Sequence, residues 1–137
     1  MGMKYQIKID YVTGDSFGSE DTSSIIELEW NDLDVAKANL KRIQDHWAYY
    51  TAKEGRRWWS REKEAKELII KVETEKPDWL VTEYPDGHIS SFHCLIKLYA
   101  DNGNVFQIWP PYVGYFESLT SAEIVSEDSD MKFITKY

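Results

Sequence analysis

The chain has 137 residues, 42% of them apolar, and a formal net charge of −8, which suits one self-sufficient core and one domain over residues 1–137. A single cysteine, Cys94, excludes an internal disulfide framework, and no apolar run approaches the roughly 20 residues of a membrane span. The start lacks the basic, apolar and small-residue order of a leader, so the expectation is a cytoplasmic protein with no membrane partner.

The charge is unevenly placed. No basic residue stands between Lys8 and Lys37, where Asp10, Asp15, Glu20, Asp21, Glu27, Glu29, Asp32 and Asp34 fall, and a second acidic run follows at Glu117, Glu123, Glu127, Asp128 and Asp130. Binding to duplex nucleic acid is driven by phosphate neutralisation, so a long duplex is not an expected partner. The acidic runs serve solubility or offer a face to a basic protein.

In chain order, Met3 to Tyr11 alternates, with Tyr5, Ile7, Ile9 and Tyr11 on one side, and predicts a half-buried strand. Thr13 to Ser23, rich in Gly, Asp and Ser, predicts a loop. Ser24 to Trp30 alternates again through Ile26, Leu28 and Trp30 and predicts the antiparallel partner of the first strand. From Asn31 to Gly55 the apolar residues Leu33, Ala36, Leu40, Ile43, Trp47 and Tyr50 recur at helical spacing. Asn31 or Asp32 is the expected cap, Asp34 complements the dipole and Gly55 supplies a left-handed exit.

A second helix is expected from Ser60, as cap, to about Glu75, carried by Ala65, Leu68, Ile69 and Val72 and stopped at Pro77. Beyond Asp78 the period changes to two. Strands are expected at Trp79–Tyr84, Ser91–Tyr99 and Val105–Trp109, the last two joined by a tight turn at Asp101, Asn102 and Gly103. Pro110 and Pro111 end that strand. Short strands at Ala122–Ser126 and Met131–Lys136 complete the order ββααβββββ. Strands grouped before and after a helix pair indicate an α+β fold: an antiparallel sheet of six to seven strands packed on one side by two helices.

Reaction motifs are missing. His46, His88 and His93 lack the spacing of a metal set, no EF-hand order occurs around Asp15 and Glu20, and neither a nucleophile elbow nor a glycine-rich phosphate loop is present. Cys94 and His93, neighbours in a predicted strand, would face opposite sides. No metal and no cofactor is expected, and no catalytic residue is assigned.

The unusual feature is an aromatic content of 15%, with six tryptophans. Arg56, Arg57, Trp58, Trp59 and Arg61 set guanidinium groups beside indole rings in an otherwise acidic chain. A ring can stack on a base and arginine can take a phosphate in a fork, so this cluster suits a nucleotide-type ligand. The alternative is packing, with Trp47 and Tyr50 in the core and one of Trp58 and Trp59 sealing the joint between the helices. A second cluster, Trp109, Tyr112, Tyr115 and Phe116, surrounds two prolines and Gly114. It covers an open end of the sheet, or it walls a pocket or an oligomer contact.

Three stretches, TGDSFGSEDT (Thr13 to Thr22), LEWNDLDVAKANLKRI (Leu28 to Ile43) and GYFESLTSAEIV (Gly114 to Val125), resemble a group of small accessory proteins of tailed phages and prophages. The resemblance carries no activity; it implies a product made in the bacterial host cytoplasm that blunts host defence. Two modes suit the residues. One is a non-enzymatic sponge that sequesters a small nucleotide immune signal, held by Arg56, Arg57 and Arg61, stacked on Trp58 or Trp59 and closed in by the loop of Trp109, Tyr112 and Tyr115, against a second subunit of a homo-oligomer. The other is an acidic inhibitor that imitates nucleic acid and occupies a basic groove of a host defence protein.

Overall fold

A computed structural model describes residues 4–15, 17–55, 58, 60–83, 92–114, 116–128 and 131–135. The expected α+β class is present, with antiparallel strands and two helices, but the strands form two sheets. Strands β1 (Lys4–Asp15), β2 (Gly18–Ile25), β5 (Ser118–Asp128) and β6 (Met131–Thr135) form a four-stranded sheet in the order β2-β1-β5-β6; β3 (Ile96–Tyr99) and β4 (Val105–Ile108) form a separate ribbon.

The predicted loop at Thr13 to Ser23 is instead the two arms of a hairpin, with Thr13 paired to Glu20 and Tyr11 to Thr22. Its second arm is an edge strand, largely solvated on both faces, so no apolar alternation marks it. Gly14 is needed here, because a Cβ would run into the carbonyl of Gly18 across the hairpin. The predicted strand Ser24–Trp30 ends early, at Ile25. Ile26 N–H still reaches Ile7 O at 2.9 Å, and Trp30 bridges Tyr5 through bonds of 2.7 and 2.9 Å. Three residues, Glu27 to Glu29, thus stand opposite the single Gln6, and the ladder is interrupted there.

Helix α1 (Leu33–Glu54) has the expected boundaries. The Asp32 carboxylate accepts from Asp34 N–H at 2.9 Å and Val35 N–H at 3.4 Å, and Gly55 takes the left-handed exit at φ 79°. Ala36, Leu40, Ile43 and Tyr50 are buried as the stripe requires, while Trp47 and Leu33 pack at its margin. Burial of such side chains contributes about 1.5–3 kcal/mol each. The helix touches β1, β5 and β3, so it lies against both sheets rather than on one side of a single sheet. Helix α2 (Glu62–Glu75) packs on α1 through Val72, Leu68 and Ile69. It starts after Arg61, which makes no side-chain cap bond, and not at a Ser60 cap; Glu62 and Glu64 in its first turn favour the start electrostatically.

Trp79 to Glu83, the described part of the predicted strand Trp79–Tyr84, is irregular. Trp79, Leu80 and Val81 are all buried in succession, which a half-buried strand cannot do, and one bond, Lys97 N–H to Trp79 O at 3.0 Å, ties the segment to β3. Phe92–Cys94 form a 3-10 turn, so β3 is shorter than expected and His93 and Cys94 do not lie on a strand. The hairpin turn at Asp101 to Gly103 is as expected, with Gly103 at φ 87°. The Asp101 carboxylate also receives Asn31 N–H at 2.7 Å and Asp32 N–H at 3.3 Å, tying the turn to the entrance of α1.

The polar side chain of Asn39, on α1, is fully enclosed and joins the layers. Asn39 replaces a neighbouring strand for β3: its Nδ2 donates to Tyr99 O at 2.8 Å and its Oδ1 accepts Tyr99 N–H at 3.0 Å. Trp30 Nε1 donates to the same carbonyl at 2.8 Å. Arg42 backs Asn39 at 2.7 Å, grips both Asp78 oxygens at 2.9 and 2.8 Å and lies over the Tyr99 ring at 4.4 Å. This fork holds the Asp78 carboxyl below its ordinary value.

Candidate functional site

Three places have the chemistry or the exposure to act on something else. The first is the joint between the helices, where the sequence places its arginines and paired tryptophans. Trp58 folds back on α1, donating from Nε1 to Thr51 Oγ1 at 3.0 Å, and the Arg61 guanidinium covers its ring at 4.5 Å. Trp58 thus seals the joint, and Arg61 is its exposed cover. Arg56, Arg57, Trp59 and Tyr115 lie outside the described residues.

The aromatic loop after β4 divides in two. Tyr112, expected to wall a pocket, is wholly enclosed: its hydroxyl lies 2.8 Å from His46 Nδ1, and Trp47 meets its ring edge-on at 5.4 Å. His46 Nε2 lies 2.8 Å from His93 O, an acceptor only, so Nε2 carries the proton and Nδ1 accepts from Tyr112. Burial lowers His46 to about 4 and pushes Tyr112 well up, which keeps both neutral. Gly114 O and N–H meet the Tyr50 hydroxyl at 3.3 and 3.2 Å, so the loop is fastened to α1. Trp109, in contrast, is 55% exposed, its ring fixed by a bond from Nε1 to Val113 O at 3.2 Å.

The second place is a polar cleft of about 260 Å³ between the end of α1, α2 and the segment around Leu80. Tyr49 donates to Glu73 Oε2 at 2.8 Å, Lys53 reaches the same oxygen at 3.2 Å, and His93 Nε2 stands 2.9 Å from Glu54. Burial and the Glu73 carboxylate drive the Tyr49 hydroxyl upward, while its bond and Lys53 hold Glu73 down. A histidine beside a carboxylate can move a proton, while burial pushes the nearby Cys94 thiol up to about 11, which favours its protonated form. The acids and bases here are already paired with one another. Among the described residues no three of His, Cys, Asp and Glu gather as metal ligands.

The third place is a cleft of about 450 Å³, opening where the interrupted ladder bows away from β1. Ile25, Glu27 and Leu28 form one wall; Phe106, Ile108 and Trp109 form the other. Ile25 is 42% exposed and Phe106 39%, so with Trp109 large apolar surface is solvated here. The walls arise simply. Phe106 and Ile108 stand cross-strand from the buried Leu98 and Ile96, on the core-facing side of the ribbon, and extend that side past the cover of the helices. Pro110, fully buried, holds the turn after β4 and so sets Trp109 at the rim.

Of the residues expected to bind, the structure brings Trp58 and Arg61 together, encloses Tyr112 and places Trp109 at the apolar cleft. Ile25, Glu27, Phe106 and Ile108 were not expected there. The available signal was Val105-Phe106, two adjacent large apolar residues in a hairpin strand, which puts one on each face. No helix among the described residues is long and apolar enough to cross a membrane. Compared with family models, curated proteins and solved structures, the chain matches none.

Proposed function

We propose that the chain is a binding protein without catalytic activity whose partner is another protein, taken at the cleft between Ile25–Leu28 and Phe106–Trp109. The observation that carries this reading is the solvated, fixed Trp109 ring beside exposed Phe106 and Ile25, around a cleft in which Glu27 is the one charged lining residue among those described. Rigid aromatic surface at the margin of a groove is what protein interfaces use as anchors, and acidic surroundings select basic partners and speed their encounter. In the phage setting that the sequence resemblance implies, this corresponds to the inhibitor of a basic host defence protein.

The nucleotide-sequestering reading draws support from the Trp58–Arg61 pair. A base stacking on Trp58 must displace the guanidinium already lying there, so the pair serves such a ligand less directly than the cleft serves a polypeptide. One experiment separates the two. The purified protein is incubated with bacterial lysate, washed and denatured, and the released material is analysed by mass spectrometry. Retention of a polypeptide that is lost with Phe106→Ser or Trp109→Ala, and that weakens with rising salt, supports protein binding. Release of an intact nucleotide, with no polypeptide and with loss in Arg61→Ala, overturns it.

A further inference from the structure

We propose that strand β4 is an acceptor edge, to which an extended cationic and apolar segment of a protein partner adds as a third strand of the β3–β4 ribbon. This rests on the cleft being the binding surface and adds its mode and the partner's chemistry.

The hydrogen-bond parity of the ribbon opens the edge. Lys97 N–H goes to Trp79 O and Tyr99 N–H to Asn39 Oδ1, so both point away from β4. Ile96↔Ile108 and Leu98↔Phe106 are therefore the pairs that exchange bonds, and Val105 and Gln107 turn their N–H and C=O groups to the other side. Among the described residues no backbone bond reaches those groups. Strand β4 also lacks the usual guards of an edge: VFQI contains no charge and no proline, and Val105 and Gln107 are exposed. Its four residues, ended by Pro110 and Pro111, limit the added strand to a short one.

Side-chain alternation supplies the rest. A strand added at Val105 and Gln107 lies over the cleft with every second residue directed between Phe106, Trp109 and Ile25, which calls for apolar residues there. Charge chooses among occupants. Glu27 lines the cleft, and Lys97, cross-strand from Gln107, is on the opposite face of the ribbon from Phe106. A second copy, at net charge −8, would bring like charge to this rim; a lysine- or arginine-bearing segment gains from it.

The test uses the intact protein and two synthetic probes of about eight residues, each with Val at the central cleft-facing positions and Thr at the alternate ones, one carrying Lys and the other Glu at the cleft-facing ends where Glu27 can be reached, at low salt. Expected are binding of the Lys probe about tenfold tighter than its acidic counterpart, and slower amide hydrogen exchange at Val105 and Gln107 by about tenfold or more in that complex. Methylating the probe's amides on the β4-facing side should lose about tenfold in affinity, while methylating the other side changes it little. Glu27→Lys, an exposed change, should reverse the charge preference. Equal binding of both probes, unprotected Val105 and Gln107 amides, or protection that rises with protein concentration alone each overturn strand addition. A lysate polypeptide released by Phe106→Ser yet leaving those amides unprotected overturns strand addition but keeps the cleft; capture undiminished in Phe106→Ser removes the cleft as well.

Discussion

His46 shows how a polar residue on an apolar stripe can be structural. It is enclosed between the Tyr112 hydroxyl and the His93 carbonyl, stacked near Tyr50 at 6.1 Å, and held neutral with its pKa lowered to about 4. The unfolded chain takes a proton near 6.5, so between about 4 and 6.5 the unfolded state binds a proton that the folded state refuses. Stability from this group is whole above that window and is lost as pH falls through it, by about 3 kcal/mol. Urea unfolding should therefore show a lower midpoint at pH 4.5 than at pH 7, and His46→Gln should flatten that difference. Tyr112→Phe leaves Nδ1 without its donor and should cost about 1–3 kcal/mol at pH 7. Asn39→Ala strands the Tyr99 N–H and should cost a similar amount, about 1–3 kcal/mol, in the same measurement.

At the scale of elements, caps and turns decide where the chain changes direction. Lys76 ends α2 at φ 50°, ψ 64°, a left-handed conformation in a residue with a Cβ, and its N–H reaches Val72 O. Lys76→Gly relieves that conformation and should raise stability by about 0.5–1 kcal/mol, read from the unfolding midpoint. Gly14→Ala should do the opposite, costing about 1–3 kcal/mol, because the new Cβ meets the Gly18 carbonyl. The sequence makes some of this visible. The 3-4 spacing of α1, its Asp32 and Gly55 ends and the Asp-Asn-Gly turn are local signals, and each appears in its place. Strand β2 escapes because GSEDTSSI buries too little to alternate, and Trp79 to Val81 misleads because consecutive burial resembles a strand in composition.

For the whole molecule, what the sequence cannot convey is how the strands divide between sheets. The split follows from long-range bonds that no local pattern announces, such as Asn39 and Trp30 meeting at the Tyr99 carbonyl. The candidate site follows from that split, since its walls are a β2 extension and the β4 ribbon, far apart in sequence. Trp30 and Trp79 are buried, and a chain of aromatic contacts from Trp79 through His46 and Tyr50 to His93 takes up much of the aromatic content in packing. Among the described tryptophans Trp109 is the one more than half exposed, so Trp109→Ala should change the unfolding free energy by no more than about 0.5–1 kcal/mol while removing partner capture.

Strand β1 sits inside its sheet, bonded to β2 on one side and β5 on the other, and Lys4 pairs with Glu127. On the ribosome the β1–β2 hairpin emerges before the rest of its sheet, and the second neighbour of β1 follows after roughly 100 further residues, about 5–20 s of elongation. For that interval Ile7 and Ile9 flank an open edge that any other nascent chain can join. Yield in cells should then depend on translation speed between β2 and β5 more than on the stability of the finished fold.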